Sequence, residues 1–241
     1  MIPREDPSMD PTAARHRRRL RLAAGLALAV GAFLGTFRVF FFAGNFAVVE
    51  PGRVYRSAQP RGGLATLLAR RRIASVLNLR GGSARDDYYR DEVAAVDAAG
   101  AAFYDLPMAA TRRPGRRELL GILDVLERGP YPMLIHCKSG SDRTGLADAL
   151  YRLAVRGEPP EAALAGFSIW RGHVPLLGPE RLHEPIAEYA DYLRKAGLAH
   201  APTRFRAWVE ADYRDLAPTG PAPRVRPGPR ARLADMSGRK I

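Results

Sequence analysis

The chain has 241 residues, 46% of them apolar, which is enough to bury one sizeable core. Its formal net charge is +13, but residues 1–21 hold six basic residues against three acidic and residues 217–241 hold six against one, so the excess sits largely at the ends and nucleic acid is not an expected partner. The single cysteine, Cys137, excludes an intrachain disulfide and a multi-cysteine zinc site.

Taken in order, residues 1–21 read as a basic, disordered N-terminus. Arg15, Arg17, Arg18, Arg19 and Arg21 precede the apolar or small run Leu22–Phe37, which Arg38 separates from Val39–Ala43. A bilayer core needs about 20 residues of helix, a length reached at Ala43 with Arg38 snorkelling to the interface, so 22–43 is predicted to be a transmembrane anchor. Cleavage as a signal peptide after Ala29-Val30-Gly31 would leave a strongly apolar new end, which favours an uncleaved single-pass span. The arginine cluster then places the N-terminus in the cytoplasm and the following domain on the periplasmic or extracellular side.

Residues 44–216 are predicted to form the folded domain. Phe46–Val49 and Arg53–Arg56 flank Pro51-Gly52 as a hairpin. Leu64–Arg72, Asp86–Ala99 and Arg116–Glu127 have helical patterns, and each is followed by a strand pattern at Ile73–Leu79, Ala101–Leu106 and Met133–His136. This alternation predicts an α/β fold with a central, mostly parallel sheet flanked by helices, whose ligands bind beyond the carboxyl ends of the strands. That rule brings Arg80, Asp105 and Cys137 to one edge. Pro160–Trp170, Pro179–Lys195 and Thr203–Asp215 read as a helical cap, with Trp170, Tyr189 and Tyr192 assigned to the core. Residues 217–241, rich in Pro, Gly and Arg, read as a disordered basic tail.

The chemistry concentrates in His136-Cys137-Lys138-Ser139-Gly140-Ser141-Asp142-Arg143-Thr144-Gly145. Apolar Met133–Ile135 before it and the helical recurrence of Leu146, Ala149, Leu150 and Leu153 after it make this a strand, a tight loop and a helix. A loop entering a helix N-terminus aims unpaired N–H groups at an anion. Such a terminus and a nearby cation also favour the thiolate form of a cysteine, which is the nucleophilic form. Arg143 adds a planar fork suited to two phosphoryl oxygens.

His-Cys-x5-Arg-Thr-Gly resembles the signature loop of the cysteine-dependent protein tyrosine and dual-specificity phosphatases. Val54-Tyr55-Arg56-Ser57-Ala58-Gln59-Pro60 and Val76-Leu77-Asn78-Leu79-Arg80 resemble segments upstream of that loop in compact bacterial and fungal members, so the resemblance covers about residues 46–195. It implies a phosphatase fold and an enzyme that hydrolyses phosphomonoesters through a phosphocysteine, with neither metal nor cofactor, and the apolar run at 22–43 adds the expectation that this enzyme is membrane-anchored. The expected substrates are phosphotyrosine-type proteins or phospholipids; the alternative is a weakly catalytic phosphate-binding scaffold at the membrane. The five-residue gap and Arg-Thr-Gly ending argue against a rhodanese-type sulfurtransferase, and the lack of a second cysteine argues against an arsenate reductase.

The resemblance also distributes roles. Cys137 is the nucleophile and Arg143 the phosphoryl clamp. Lys138, Ser139, Gly140 and Ser141 bind phosphate, the serines chiefly through backbone N–H groups, and Thr144 donates to the sulfur. Asp142, inside the loop as in the myotubularin-type lipid phosphatases, is the preferred general acid, with Asp105 the competitor and Arg80 a further candidate. His136 orients the loop. Inositide-preferring relatives often carry a lysine where this chain has Ser141, which weighs against a phosphoinositide. Arg112, Arg113, Arg116 and Arg117 cluster near the predicted cleft rim.

Overall fold

Short strands buried on both faces set the architecture. In β2 (Val54–Ser57), β3 (Ser75–Asn78) and β5 (Met133–His136) every residue is buried, as expected of parallel strands covered by helices on both sides. The structure, a computed structural model, describes residues 11–42, 44–214 and 224–226. With β1 (Ala47–Glu50), β4 (Ala102–Asp105) and β6 (Arg224–Arg226), the strands order as β1-β2-β5-β3-β4-β6. The inner pairs β2·β5, β5·β3 and β3·β4 are parallel, and β1 and β6 add antiparallel edges. β1 and β2 form the expected hairpin.

Alternate side chains along each strand feed opposite layers. Tyr55, Val76, Phe103 and Leu134 pack beneath α2 (Leu64–Arg71) and α3 (Asp87–Ala98). Val54, Leu77 and Ile135 pack on the other face, against α4 (Arg116–Arg128) and α5 (Asp142–Ala154). In α4, Leu119, Ile122, Leu123 and Leu126 form the buried stripe that helical spacing prescribes. In α5 everything from Thr144 to Ala154 except Arg152 is buried, because the C-terminal elements cover its outer side. Those elements are α6 (Pro160–Ala163), α7 (Glu184–Ala196) and α8 (Pro202–Ala211).

The helix expected over Pro160–Trp170 is instead α6 followed by 3-10 turns at Leu164–Gly166 and Ile169–Arg171. The chain bends there to lie on α5 so closely that a Cβ on Gly166 would fall 2.5 Å from the backbone N of Ala149. Tyr189 is core as expected, but Trp170 is 70% exposed, a correction to its assignment.

The N-terminus also differs from expectation. Residues 1–10 lie outside the described residues, and 11–21 form the first turns of α1 (Pro11–Phe42). Among the described residues no helix is long and apolar enough to cross a membrane. Arg15, Arg17, Arg18, Arg19 and Arg21 charge the first turns of α1, and the uninterrupted apolar or small run that follows, Leu22–Phe37, ends at Arg38, short of the roughly 20 residues a span requires. The transmembrane helix expected over 22–43 is not found among the described residues. Most of the expected tail, 217–241, lies outside the described residues, but Arg224–Arg226 pair with β4.

Candidate active site

β5 ends at His136 between β2 and β3, and the chain turns through residues 137–141 into α5. Groups outside the loop fix its peptide planes. The carbonyl of Lys138 accepts from the Gln59 N–H at 3.2 Å, and that of Ser139 accepts from Asn45 Nδ2 at 2.9 Å. The Gly140 carbonyl accepts from Arg56 Nη2 at 2.9 Å, and that of Ser141 from the Gly145 N–H at 2.8 Å. In a planar trans peptide the N–H points opposite to the C=O, so each carbonyl turned outward turns the next amide inward. The sulfur registers this directly, since the Gly140 N–H donates to Cys137 Sγ at 3.2 Å.

Gly140 is required by shape. Its φ is +73°, and a Cβ there would lie 2.6 Å from the backbone of Ser57 and Ala58. Arg56, 2% exposed, ties the loop to the helical layer: Nη1 donates to Asp148 Oδ2 and to the Gly166 carbonyl, both at 2.7 Å. Asp148 also accepts from Arg152 Nε at 2.9 Å. Asn45 Nδ2 bridges from Ser139 to the Arg171 carbonyl at 3.0 Å, which the Ser141 hydroxyl also reaches at 2.7 Å.

Behind the loop, the buried His136 places Nε2 2.5 Å from Glu92 Oε1, and Glu92 Oε2 accepts from Gln59 Nε2 at 2.8 Å. Arg80 continues this chain toward the surface. Its Nη1 donates to Gln59 Oε1 at 3.4 Å and its guanidinium lies 3.3 Å over the Tyr88 ring. His136 and Arg80 are thus joined beside the loop, with Arg80 held through Gln59.

Arg143, at the start of α5, donates from Nη1 to the carbonyls of Leu79 and Met108, each at 3.2 Å, which seats the guanidinium across the ends of β3 and β4. Lys138 is exposed at the loop's outer side. The Thr144 hydroxyl is buried without a hydrogen-bond partner among the described residues, so its expected bond to the sulfur is not formed in this structure.

The two candidate acids are separated. Asp142 keeps 19% of its side-chain surface exposed at the head of α5, and its Oδ1 is 2.8 Å from His173 Nδ1. Asp105 is fully buried on the α3 side of β4, where Oδ2 accepts from the Tyr89 hydroxyl at 2.7 Å and pairs with Arg224 at 2.6 Å. Burial pushes the Asp105 pKa up, while the Tyr89 and Arg224 contacts oppose the shift. Burial and the bond to Asp105 push Tyr89 up to about 12. The arginines of the expected rim are largely committed elsewhere: Arg112 to Glu118 at 2.6 Å, Arg113 to Glu188, and Arg116 to the Tyr213 carbonyl at 2.5 Å.

Beside the loop opens a cavity of about 550 Å³, with Phe46, Leu64 and Leu67 among its apolar lining and Lys138, Ser139 and Arg61 among its polar lining.

The tyrosine phosphatase family profile matches residues 43–169, just over half of the chain and the whole stretch from Asn45 through the loop to Gly166. The chain belongs to that family. It is 34% identical over 113 residues to the dual specificity protein phosphatase TpbA of Pseudomonas aeruginosa, a match covering 46% of this chain and 48% of the relative. The chain therefore spans about half the length of the curated relatives it matches. Among solved structures it is similar to P. aeruginosa TpbA (25% identity, 70% of this chain and 92% of that one, TM-score 0.44). It is also similar to the catalytic core of the PP-IP phosphatase SIW14 from S. cerevisiae (21% identity, 64% and 93%, TM-score 0.48).

Within this family frame, sequence reasoning missed the residues that hold the loop. Arg56 and Gln59 fell inside a segment noted only as a resemblance. Asp148 carried a readable signal, being a carboxylate among the apolar positions of α5. Asn45, Glu92 and His173 carried none, since each reaches the loop across a long sequence separation.

Proposed function

We propose that this chain is a phosphomonoesterase working through a phosphocysteine on Cys137. The observation that carries the reading is the inward-facing amide array, with the Gly140 N–H 3.2 Å from Cys137 Sγ. An array of this kind stabilises a thiolate before substrate arrives and equatorial phosphoryl oxygens afterwards. The sulfur attacks phosphorus in line, forming the S–P bond as the P–O bond to the alcohol breaks. Asp142 Oδ2 gives its proton to the departing oxygen. Asp142, then a carboxylate, takes a proton from the water that attacks phosphorus, and the S–P bond breaks to release phosphate. Arg143 spans two phosphoryl oxygens through both steps. Lys138, Ser139, Gly140 and Ser141 complete the phosphate cradle, and Thr144 donates to the sulfur as it leaves.

Two observations support Asp142 over Asp105 as the acid: Asp142 is partly exposed on the loop, whereas Asp105 is buried beneath Tyr89 and Arg224. The cavity beside Lys138 suits the alcohol portion of a phosphotyrosine-type protein or of a phospholipid. Turnover of a chromogenic aryl phosphate, run beside phosphopeptide and phospholipid panels, tests the reading. Cys137→Ser is expected to abolish turnover and retain vanadate binding. Arg143→Lys is expected to lose both substantially, because an ammonium cannot reproduce the bidentate fork. Undiminished turnover in Cys137→Ser would remove the mechanism, and vanadate binding without turnover in the unmodified chain would assign the scaffold role instead.

A further inference from the structure

Two histidines beyond the stretch matched by the family profile line up behind Asp142. His173, 3% exposed, sits with Nδ1 2.8 Å from Asp142 Oδ1 and Nε2 2.8 Å from His183 Nε2. The Phe167 ring packs against both imidazoles, with centroids 4.8 Å from His173 and 4.1 Å from His183. Gly145 makes room for that ring, since a Cβ there would lie 2.9 Å from it. Three elements therefore converge on one carboxylate: the loop and α5, the 166–173 segment, and the turn leading into α7.

Proton counting restricts what this row can do. Two facing Nε2 atoms at 2.8 Å form a hydrogen bond only when one carries a proton and the other a lone pair. With His173 protonated at Nδ1, its N–H donates to Asp142 Oδ1, its Nε2 lone pair accepts, and His183 supplies the Nε2–H. Burial, and secondarily the neighbouring His173, lower the His183 pKa, in keeping with a neutral donor. In this arrangement Oδ1 of Asp142 is occupied by His173 and Oδ2 is left for proton transfer.

We infer that His173 is a positioning residue for Asp142, holding the carboxyl by Oδ1 so that Oδ2 faces the leaving oxygen, and that His183 fixes the tautomer of His173 that does this. The inference rests on the reading of Asp142 as the acid and adds the groups through which it acts. When Asp142 delivers its proton, the new carboxylate gains a charge-assisted bond from His173 Nδ1–H, so the contact strengthens as the P–O bond breaks.

The test uses the full chain and two substrates, an aryl phosphate with an acidic phenol and an alkyl phosphate with a poor leaving group. Asp142→Asn is expected to slow the alkyl substrate about 10²- to 10⁴-fold more than the aryl one. His173→Gln, whose amide reaches the His183 side only, is expected to show the same bias at about 10- to 100-fold, the worth of one hydrogen bond to a charged group. His173→Asn places its amide near the Nδ1 position and is expected to restore alkyl turnover to within a few fold of the unmodified chain. The double variant Asp142→Asn/His173→Gln should be no slower than Asp142→Asn alone. Vanadate binding, measured for every variant, separates a misfolded loop from a mispositioned acid. Equal losses on both substrates in His173→Gln, with Asp142→Asn still biased, would overturn the positioning role alone. Asp142→Asn without bias would overturn the acid assignment and the inference with it. Failure of His173→Asn to rescue while it binds vanadate normally would also count against the inference.

Discussion

A methyl group on Gly140 would meet the backbone of Ser57 and Ala58 at 2.6 Å, and the residue's positive φ leaves a side chain no comfortable alternative. Neither obstacle is a flexible side chain, so Gly140→Ala must displace the loop or β2. The expected outcome is loss of both vanadate binding and turnover. A variant that binds vanadate normally would show that the Gly140 amide is not part of the anion site. At this scale the sequence was most legible where chemistry restricts residue type: Cys137, Arg143 and the two candidate carboxylates were all identifiable. It was least legible where a residue acts through a partner distant in the chain. The pairing of Asp142 with His173, 31 positions away, has no periodic or local signature.

Between elements, Arg56 connects β2, the loop, α5 and the turn at Gly166 through a single guanidinium. Removing one member of a buried ion pair costs about 3–5 kcal/mol when the other is left uncompensated; here Arg152 still pairs with Asp148, so the loss of Arg56 falls below that range and comes largely from the Gly140 and Gly166 carbonyls left without their donor. Arg56→Met should accordingly unfold at lower urea, and Arg56→Met/Asp148→Leu should recover only part of that stability, because both carbonyls stay without a donor and Arg152 keeps only Glu158. Vanadate affinity should stay low in both, since the Gly140 carbonyl loses its donor either way. Recovery of binding in the double variant would mean that the loop keeps its shape without Arg56. The order of strands and helices through α5 was readable because apolar periodicity and Gly or Pro punctuation report local conformation. The cap was less so. Its conformation between 160 and 183 is set by close approach to α5 and by the aromatic and histidine cluster, neither of which leaves a helical or alternating pattern.

For the whole molecule, pH reports how the cap is attached. Burial lowers the pKa of His183 and of His200, whose Nε2 lies 3.0 Å from the Leu153 carbonyl and whose Nδ1 is 3.1 Å from the Tyr189 hydroxyl. The unfolded chain then takes up protons near the ordinary value of 6.5 while the folded chain does not. Stability from these two groups is full above about 6.5 and is lost as pH falls through the window beneath it. Urea midpoints should therefore drop between pH 7.5 and 5.5, and the drop should shrink in His200→Gln, which keeps a donor for Leu153. A pH-independent midpoint over that range would contradict the assignment. The sheet's two edges meet solvent differently. A register shift between Val48 and Glu50 interrupts β1, whereas on the other side the three residues of β6 cover β4. An uncovered edge is a template for pairing with other chains, and irregularity or a short covering strand blunts it. Deleting 224–226 would bare the outward backbone of Phe103–Asp105 and take Arg224 from Asp105, so the shortened chain should self-associate in sedimentation while the full chain does not. On this view β6 acts against filament and dimer formation, guarding solubility from the side of the sheet away from the hairpin.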